Sequence, residues 1–104
     1  MVAFERALQD AFVVQMARHL RTVVPEIVAR FEDAAFMKSV STRMARAFSY
    51  GLTDRFDVRR YLECSYLLGW TDEAPDGEAC AVFAQEGVMV EEKMDLIEQR
   101  TERL

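Results

Sequence analysis

FSYGLTDRFDVRRYLECSYLLGW, residues 48–70, holds the end of one helix, a tight stop, and a second helix with its own stop. Gly51 follows an apolar-periodic run that ends at Tyr50 and suits the left-handed position just past a helix C-terminus. Leu52 after it supplies the hydrophobic contact that closes such a stop. Asp54 stands where an N-cap belongs, and Asp57 puts a second carboxylate in the first turn. Both can accept orphan backbone N–H groups, and both sit in the positive end of the helix field. Val58, Tyr61, Leu62, Ser65 and Leu68 share one side of this second helix. Arg55, Arg59 and Glu63 lie elsewhere, with Arg59 and Glu63 at i,i+4 spacing. Gly69 repeats the stop, so the stretch predicts a helical hairpin.

On the N-terminal side of the hairpin, Phe4, Leu8, Ala11, Phe12, Met16, Leu20 and Val23 step by three and four, one face of a helix. Glu5, Gln9, Arg18 and Arg21 fall away from that face, and Val13 and Val14 widen it. Pro25 ends this helix, disfavours helical geometry at Val24, and is comfortable as the first residue of the next. Ile27, Val28 and Phe31 then suggest a brief helix from Pro25 to Glu32. Asp33 is placed to cap a helix from Ala34 to Tyr50. That helix has Phe36, Met37, Val40, Met44, Ala47 and Phe48 on one face and Ser39, Ser41, Thr42, Arg43 and Arg46 on the other. A single helix from Pro25 to Tyr50 is the alternative, since no Gly or Pro inside it forbids one.

On the C-terminal side, Trp70 to Gly77 carries the Pro, Asp and Gly of a loop. Glu78 to Gln85 reads as a short helix with Ala79, Val82 and Phe83, ended or bent at Gly87. Val90, Met94, Ile97, Thr101 and Leu104 form a narrow stripe on a last helix whose remaining surface is acidic. No stretch sustains period-two alternation. The expected fold is all-α: one domain, residues 1–104, an irregular antiparallel bundle of five or six helices built around the hairpin at Gly51.

Length and charge narrow the function classes. At 104 residues the chain buries roughly two-thirds of its unfolded surface, enough for a core. Its net charge of −5 is uneven. Residues 1–50 carry seven basic and five acidic side chains, residues 51–104 six basic and thirteen acidic. An acidic chain without a basic stripe is a poor match for nucleic acid or an anionic membrane. Glu5, Arg6 and Asp10 interrupt any signal-like run, and no apolar stretch approaches the roughly eighteen residues of a membrane span. Cys64 and Cys80 are too few for a disulfide scaffold and read as buried small hydrophobes in a reducing compartment. A cytoplasmic location is expected.

Catalytic chemistry finds little purchase. The sole histidine, His19, lies on an amphipathic helix without a visible nucleophile or acid beside it. No His, Cys and carboxylate set has metal-ligand spacing, and the acidic loop of Asp72, Glu73, Asp76 and Glu78 lacks the distal glutamate of a helix-loop-helix calcium site. Capping accounts for Asp54 and Asp57. No enzyme, cofactor or metal is expected. Trp70, just past a helix stop, either covers the core or anchors an interface, since Trp, Tyr and Arg dominate binding hot spots. Arg55, Arg59 and Arg60 cluster on the first turns of one helix, to pair with nearby acids or to face a partner.

These residues resemble small helical accessory proteins encoded in bacterial type VI secretion clusters near effector adaptor genes. The resemblance rests on His19-Leu20-Arg21 ahead of Pro25, then Tyr50-Gly51, Leu52, Asp54, Asp57-Val58 and Tyr61. Gly69 and the acidic, Pro75-containing loop from Asp72 to Asp76 complete it. It spans most of residues 12–83; the loop is shorter than in the family pattern, and Trp70 stands where another residue is usual. The resemblance implies a co-chaperone-like role in effector loading by protein–protein contact, and no catalytic residues. A partner would be the secretion effector or its adaptor. The alternative is an immunity protein that neutralises a cognate toxin, an acidic face mimicking nucleic acid suiting a nuclease. The candidate contact residues are Trp70, Arg55, Arg59, Asp72, Glu73, Glu91, Asp95 and Glu98, with a homodimer through the Val90–Leu104 stripe as a competing use of the last helix. A small enzyme lacks an assembled base and nucleophile, and a helix-turn-helix regulator lacks its positive face.

Overall fold

In the computed structural model the backbone is described for residues 2–102 and the side chains for residues 10–102. The expected contributions of Phe4, Glu5, Leu8, Gln9 and Leu104 therefore lie outside the described residues. The elements are α1 (Val2–Val23), α2 (Pro25–Val28), α3 (Asp33–Ser49), α4 (Arg55–Leu67), α5 (Gly77–Phe83) and α6 (Val90–Thr101). No strand occurs among the described residues. The break at Pro25 is real: α2 is one turn, begun by Pro25 at its first position. Asp33 does not cap α3. It is the helix's first residue, and the preceding Glu32 holds the cap position without a side-chain bond.

Both helix stops are Schellman motifs. The Gly51 N–H donates to the Phe48 carbonyl at 3.0 Å and the Leu52 N–H to the Ala47 carbonyl at 3.2 Å. After α4 the Gly69 N–H reaches the Tyr66 carbonyl at 3.4 Å and the Trp70 N–H the Ser65 carbonyl at 2.9 Å. Gly51 and Gly69 have φ of +87° and +73°, the left-handed geometry this motif requires. In each stop the residue after glycine turns inward. Leu52 is fully buried, and Trp70, its counterpart, is 4% exposed. Asp54 caps α4 as the sequence implies, accepting from the Phe56 N–H at 2.8 Å.

Helix α3 runs antiparallel to both neighbours. Arg21 of α1 lies over Phe36 near the start of α3, and Ser39 and Tyr50 of α3 meet Tyr66 and Tyr61 of α4. α6 packs on α4 and on α5. The molecule measures 36 × 34 × 20 Å, about two helices thick. Aromatic groups lie on both sides of α4. Phe31, Phe36 and Tyr66 sit 5.8–6.1 Å apart at one end. At the other, Tyr50 stacks on Phe83 at 4.4 Å, and Tyr61 meets both Phe83 and Trp70. Lys93, buried, donates to the Phe83 carbonyl at 2.9 Å and so satisfies the C-terminal end of α5.

Two expectations about faces shift. Among the described residues of α1 the buried set is Met16, Ala17, Leu20 and the following Val24, while Val23 is 46% exposed and Ala11 is exposed. In α3, Ser39 and Arg43 are buried rather than on a solvated face. In α6, Met94 and Ile97 of the expected stripe are fully buried, with Val90 and Thr101 half-buried.

The stops yield a paired prediction. Gly51→Ala forces a β-carbon into left-handed geometry, which costs about 1–2 kcal/mol. That carbon would meet only Val90 Cγ2 at 3.7 Å, an ordinary contact, so the loss is conformational and not a clash. Gly77→Ala, in the first turn of α5 with nothing within 4 Å of its β-carbon, is expected to be neutral or to gain up to about 1 kcal/mol. Urea denaturation of the two variants checks both signs.

Candidate functional site

The candidate contact residues divide into those the fold uses internally and those it leaves outside. Trp70 belongs to the first group: of its two readings, the one that covers the core matches its burial, and it is not an exposed interface anchor. The Schellman geometry places its ring in the core, and its indole Nε1–H donates to Asp76 Oδ2 at 3.1 Å. Asp76 caps α5 by accepting from the Ala79 N–H at 2.9 Å and receives two bonds from Arg100 of α6, at 3.0 and 2.8 Å. One carboxylate thus joins the end of α4, the start of α5 and the last turn of α6.

Asp72 is also internal. It accepts from the Ser39 hydroxyl at 2.6 Å and from Arg43 Nε at 2.8 Å. Arg43 further donates to Ser65 Oγ and to the Trp70 carbonyl, each at 2.9 Å, and its guanidinium lies 3.9 Å from the centre of the Tyr66 ring. Burial works to raise the Asp72 pKa, but the bonds from Ser39 and Arg43 outweigh it, so the carboxyl titrates below its ordinary range. Glu73 stays exposed, on a shallow cleft of about 270 Å³ with Thr42 and Arg46.

On α6, Asp95 and Glu98 pair with the buried Arg60, which donates to both at 2.6 Å, while their own side chains stay 64% and 44% exposed. Asp57, expected to accept backbone N–H groups, instead sits buried 3.6 Å from Arg60. Burial alone would lower the Arg60 pKa, but the bonds from Asp95 and Glu98 prevail and raise it. Glu91 remains exposed.

Arg55 and Arg59 are left. Neither has a carboxylate within 4.0 Å among the described residues. The expected Arg59–Glu63 pair does not form, because Glu63 Oε1 meets His19 Nε2 at 2.5 Å and ties α4 to α1. Arg55 lies 5.6 Å over the Phe12 ring and Arg59 5.3 Å over Phe56. Phe56 is 55% exposed, on the side of α4 away from the Val58–Tyr61–Leu62 core. Together with Gln15 and Met16 these residues line a cleft of about 330 Å³ between α1 and α4. Phe56 and Phe12 were not among the candidates. A large apolar side chain off the apolar stripe, directly after Arg55 and three residues before Arg59, was the available signal.

No group of three or more His, Cys, Asp or Glu side chains is arranged to hold a metal among the described residues. Burial pushes the Cys64 thiol up to about 12, which keeps it a thiol and a poor nucleophile. No helix among the described residues is long and apolar enough to cross a membrane. These features define an all-α helical domain with a mixed aromatic–arginine cleft on its surface. No protein-family model, curated protein or solved structure matches the chain.

Two predictions test the internal group. Arg43→Met removes a buried charge and leaves Asp72, Ser65 and the Trp70 carbonyl short of donors, so a loss of about 3 kcal/mol is expected in chemical denaturation. Arg43→Lys is expected to recover only part of it, because a single ammonium does not span the three directions the planar guanidinium serves. The second concerns acid. The Arg100 hydrogen bonds hold the Asp76 carboxyl down at about 2, against a smaller opposing effect of burial. An unfolded aspartate titrates near ~3.9. The folded pKa is the lower one, so the carboxylate stabilises the fold above about pH 4, and that contribution disappears as pH falls toward about 2. Asp76→Asn is expected to flatten this limb of the stability–pH curve, followed by the fluorescence of Trp70, the one tryptophan.

Proposed function

We propose that this chain is a non-enzymatic, cytoplasmic protein-binding module, a co-chaperone-like accessory that holds a bacterial type VI secretion effector or its adaptor before export. The observation that carries the binding reading is the cleft between α1 and α4. A half-exposed phenylalanine flanked by two arginines that meet no carboxylate among the described residues has the composition of a binding hot spot. Arg43, Arg60 and Arg100, by contrast, each satisfy acids of their own chain. The secretion context comes from the residue pattern around His19, Pro25, Tyr50-Gly51 and Gly69, supported by the helical hairpin that those residues build.

A second reading is an immunity protein. The exposed carboxylates of Glu91 and Glu92 at the start of α6 favour it, because they offer a basic toxin surface an acidic counterpart.

Co-purification from the native host followed by mass spectrometry separates the two. A co-chaperone is expected to recover the adaptor or the non-toxic end of the effector, and an immunity protein the toxin domain. Recovery of the chain alone and monomeric would remove the binding-module reading.

A further inference from the structure

The cleft between α1 and α4 has a chemistry more specific than a generic contact surface. Its floor is apolar, from Phe12, Met16 and Phe56, and its rim is cationic, from Arg55 and Arg59. Three features set it apart from the rest of the surface.

Phe56 is held in place and not merely exposed. Its backbone N–H is bound by the Asp54 cap at 2.8 Å, and its ring lies between Arg59 and Arg60, 5.3 and 5.4 Å from their guanidinium carbons. An anchor ordered before binding costs little entropy to use.

The three arginines of this turn differ in what they have left to give. Arg60 is committed to Asp95 and Glu98, whereas Arg55 and Arg59 carry full charges matched by no carboxylate among the described residues. In a chain of net charge −5, acids are not scarce, so two neighbouring guanidiniums with no described carboxylate beside them mark where an outside carboxylate would be drawn.

A polyanion fits less well than a short acidic segment. Asp95 and Glu98 of α6, held on Arg60, add acidic surface beside α4 that a continuous phosphate backbone would cross with charge at every step, whereas a short segment places its few carboxylates on Arg55 and Arg59 alone.

We infer that this cleft takes an acidic protein segment, seating one large apolar side chain against Phe12 and Phe56 while flanking carboxylates pair with Arg55 and Arg59. The inference rests on the binding-module reading and names the chemistry of its partner.

The test is a selection of displayed random peptides against the full chain, with affinities of the selected peptides then measured by fluorescence anisotropy. The expected winners carry an aromatic or aliphatic residue flanked by Asp or Glu, and their binding weakens as salt is raised. Phe56→Ala and Arg59→Glu should each weaken it at least about tenfold, while Leu67→Ala, on another exposed face, leaves it unchanged. Replacing the peptide carboxylates by lysine should restore binding to the Arg55→Glu/Arg59→Glu chain, a charge-swap rescue that general destabilisation cannot produce. Neutral or basic winners, affinities indifferent to Phe56 and Arg59, or no selected peptide at all would overturn the inference. So would a wild-type dimer that Arg59→Glu converts to monomer, which would make a second copy the occupant. If the host partner still co-purifies equally well with Phe56→Ala and Arg59→Glu, this inference fails and the proposed function stands. If nothing co-purifies, the proposed function fails whatever the peptides do.

Discussion

A guanidinium buried between two helices must place every donor, and Arg43 imposes that requirement on this fold. It sits on α3 at 6% exposure, facing α4 and the loop beyond it. Its donors reach Asp72, Ser65 and the Trp70 carbonyl, and its plane lies over Tyr66. A buried ion left without partners costs several kcal/mol, so the loop has to return to α3 with Asp72 and the end of α4 has to present a carbonyl there. No buried side-chain nitrogen or oxygen among the described residues is left without a partner. The helix pair α3–α4 is therefore specified in register as well as in apolar contact.

That constraint spreads through the second Schellman motif. Gly69 turns the chain so that the Trp70 carbonyl faces Arg43 while the Trp70 ring enters the core against Tyr61. The indole N–H then finds Asp76, which begins α5 and binds Arg100 of α6. Lys93 closes the other end of α5 on the Phe83 carbonyl. α5 has only seven residues and would be marginal alone. Its two ends are held by side chains of α6, and its Phe83 stacks on Tyr50 beside the first stop.

The charge distribution follows from the same accounting. The acidic excess of residues 51–104 does not form a free acidic face throughout. Asp72, Asp76, Asp95 and Glu98 are drawn onto Arg43, Arg100 and Arg60, leaving carboxylates such as Glu73, Glu91 and Glu92 outside. With those arginines engaged, Arg55 and Arg59 stay available above Phe12 and Phe56. The surface chemistry of the cleft is in this sense what remains after the core has been satisfied.

Local chemistry could be read along the chain because its causes lie within a few residues. Pro25 stops α1 for want of an N–H, Gly51 and Gly69 take the left-handed geometry that other residues avoid, and Asp54 bonds an N–H two residues away. Helix order, the hairpin and the all-α class follow from such signals together with the spacing of apolar residues. Arg43, Arg60 and Trp70 were misplaced or left open for the opposite reason. The hydrogen-bond partners of the two arginines lie 22 to 38 residues away, and periodicity sorts side chains by polarity alone. It cannot tell a solvated arginine from one whose charge is matched inside the protein. Which arginines are matched, and hence which are left over for a partner, was settled only when α4 packed against α3, α6 and the loop that returns to them.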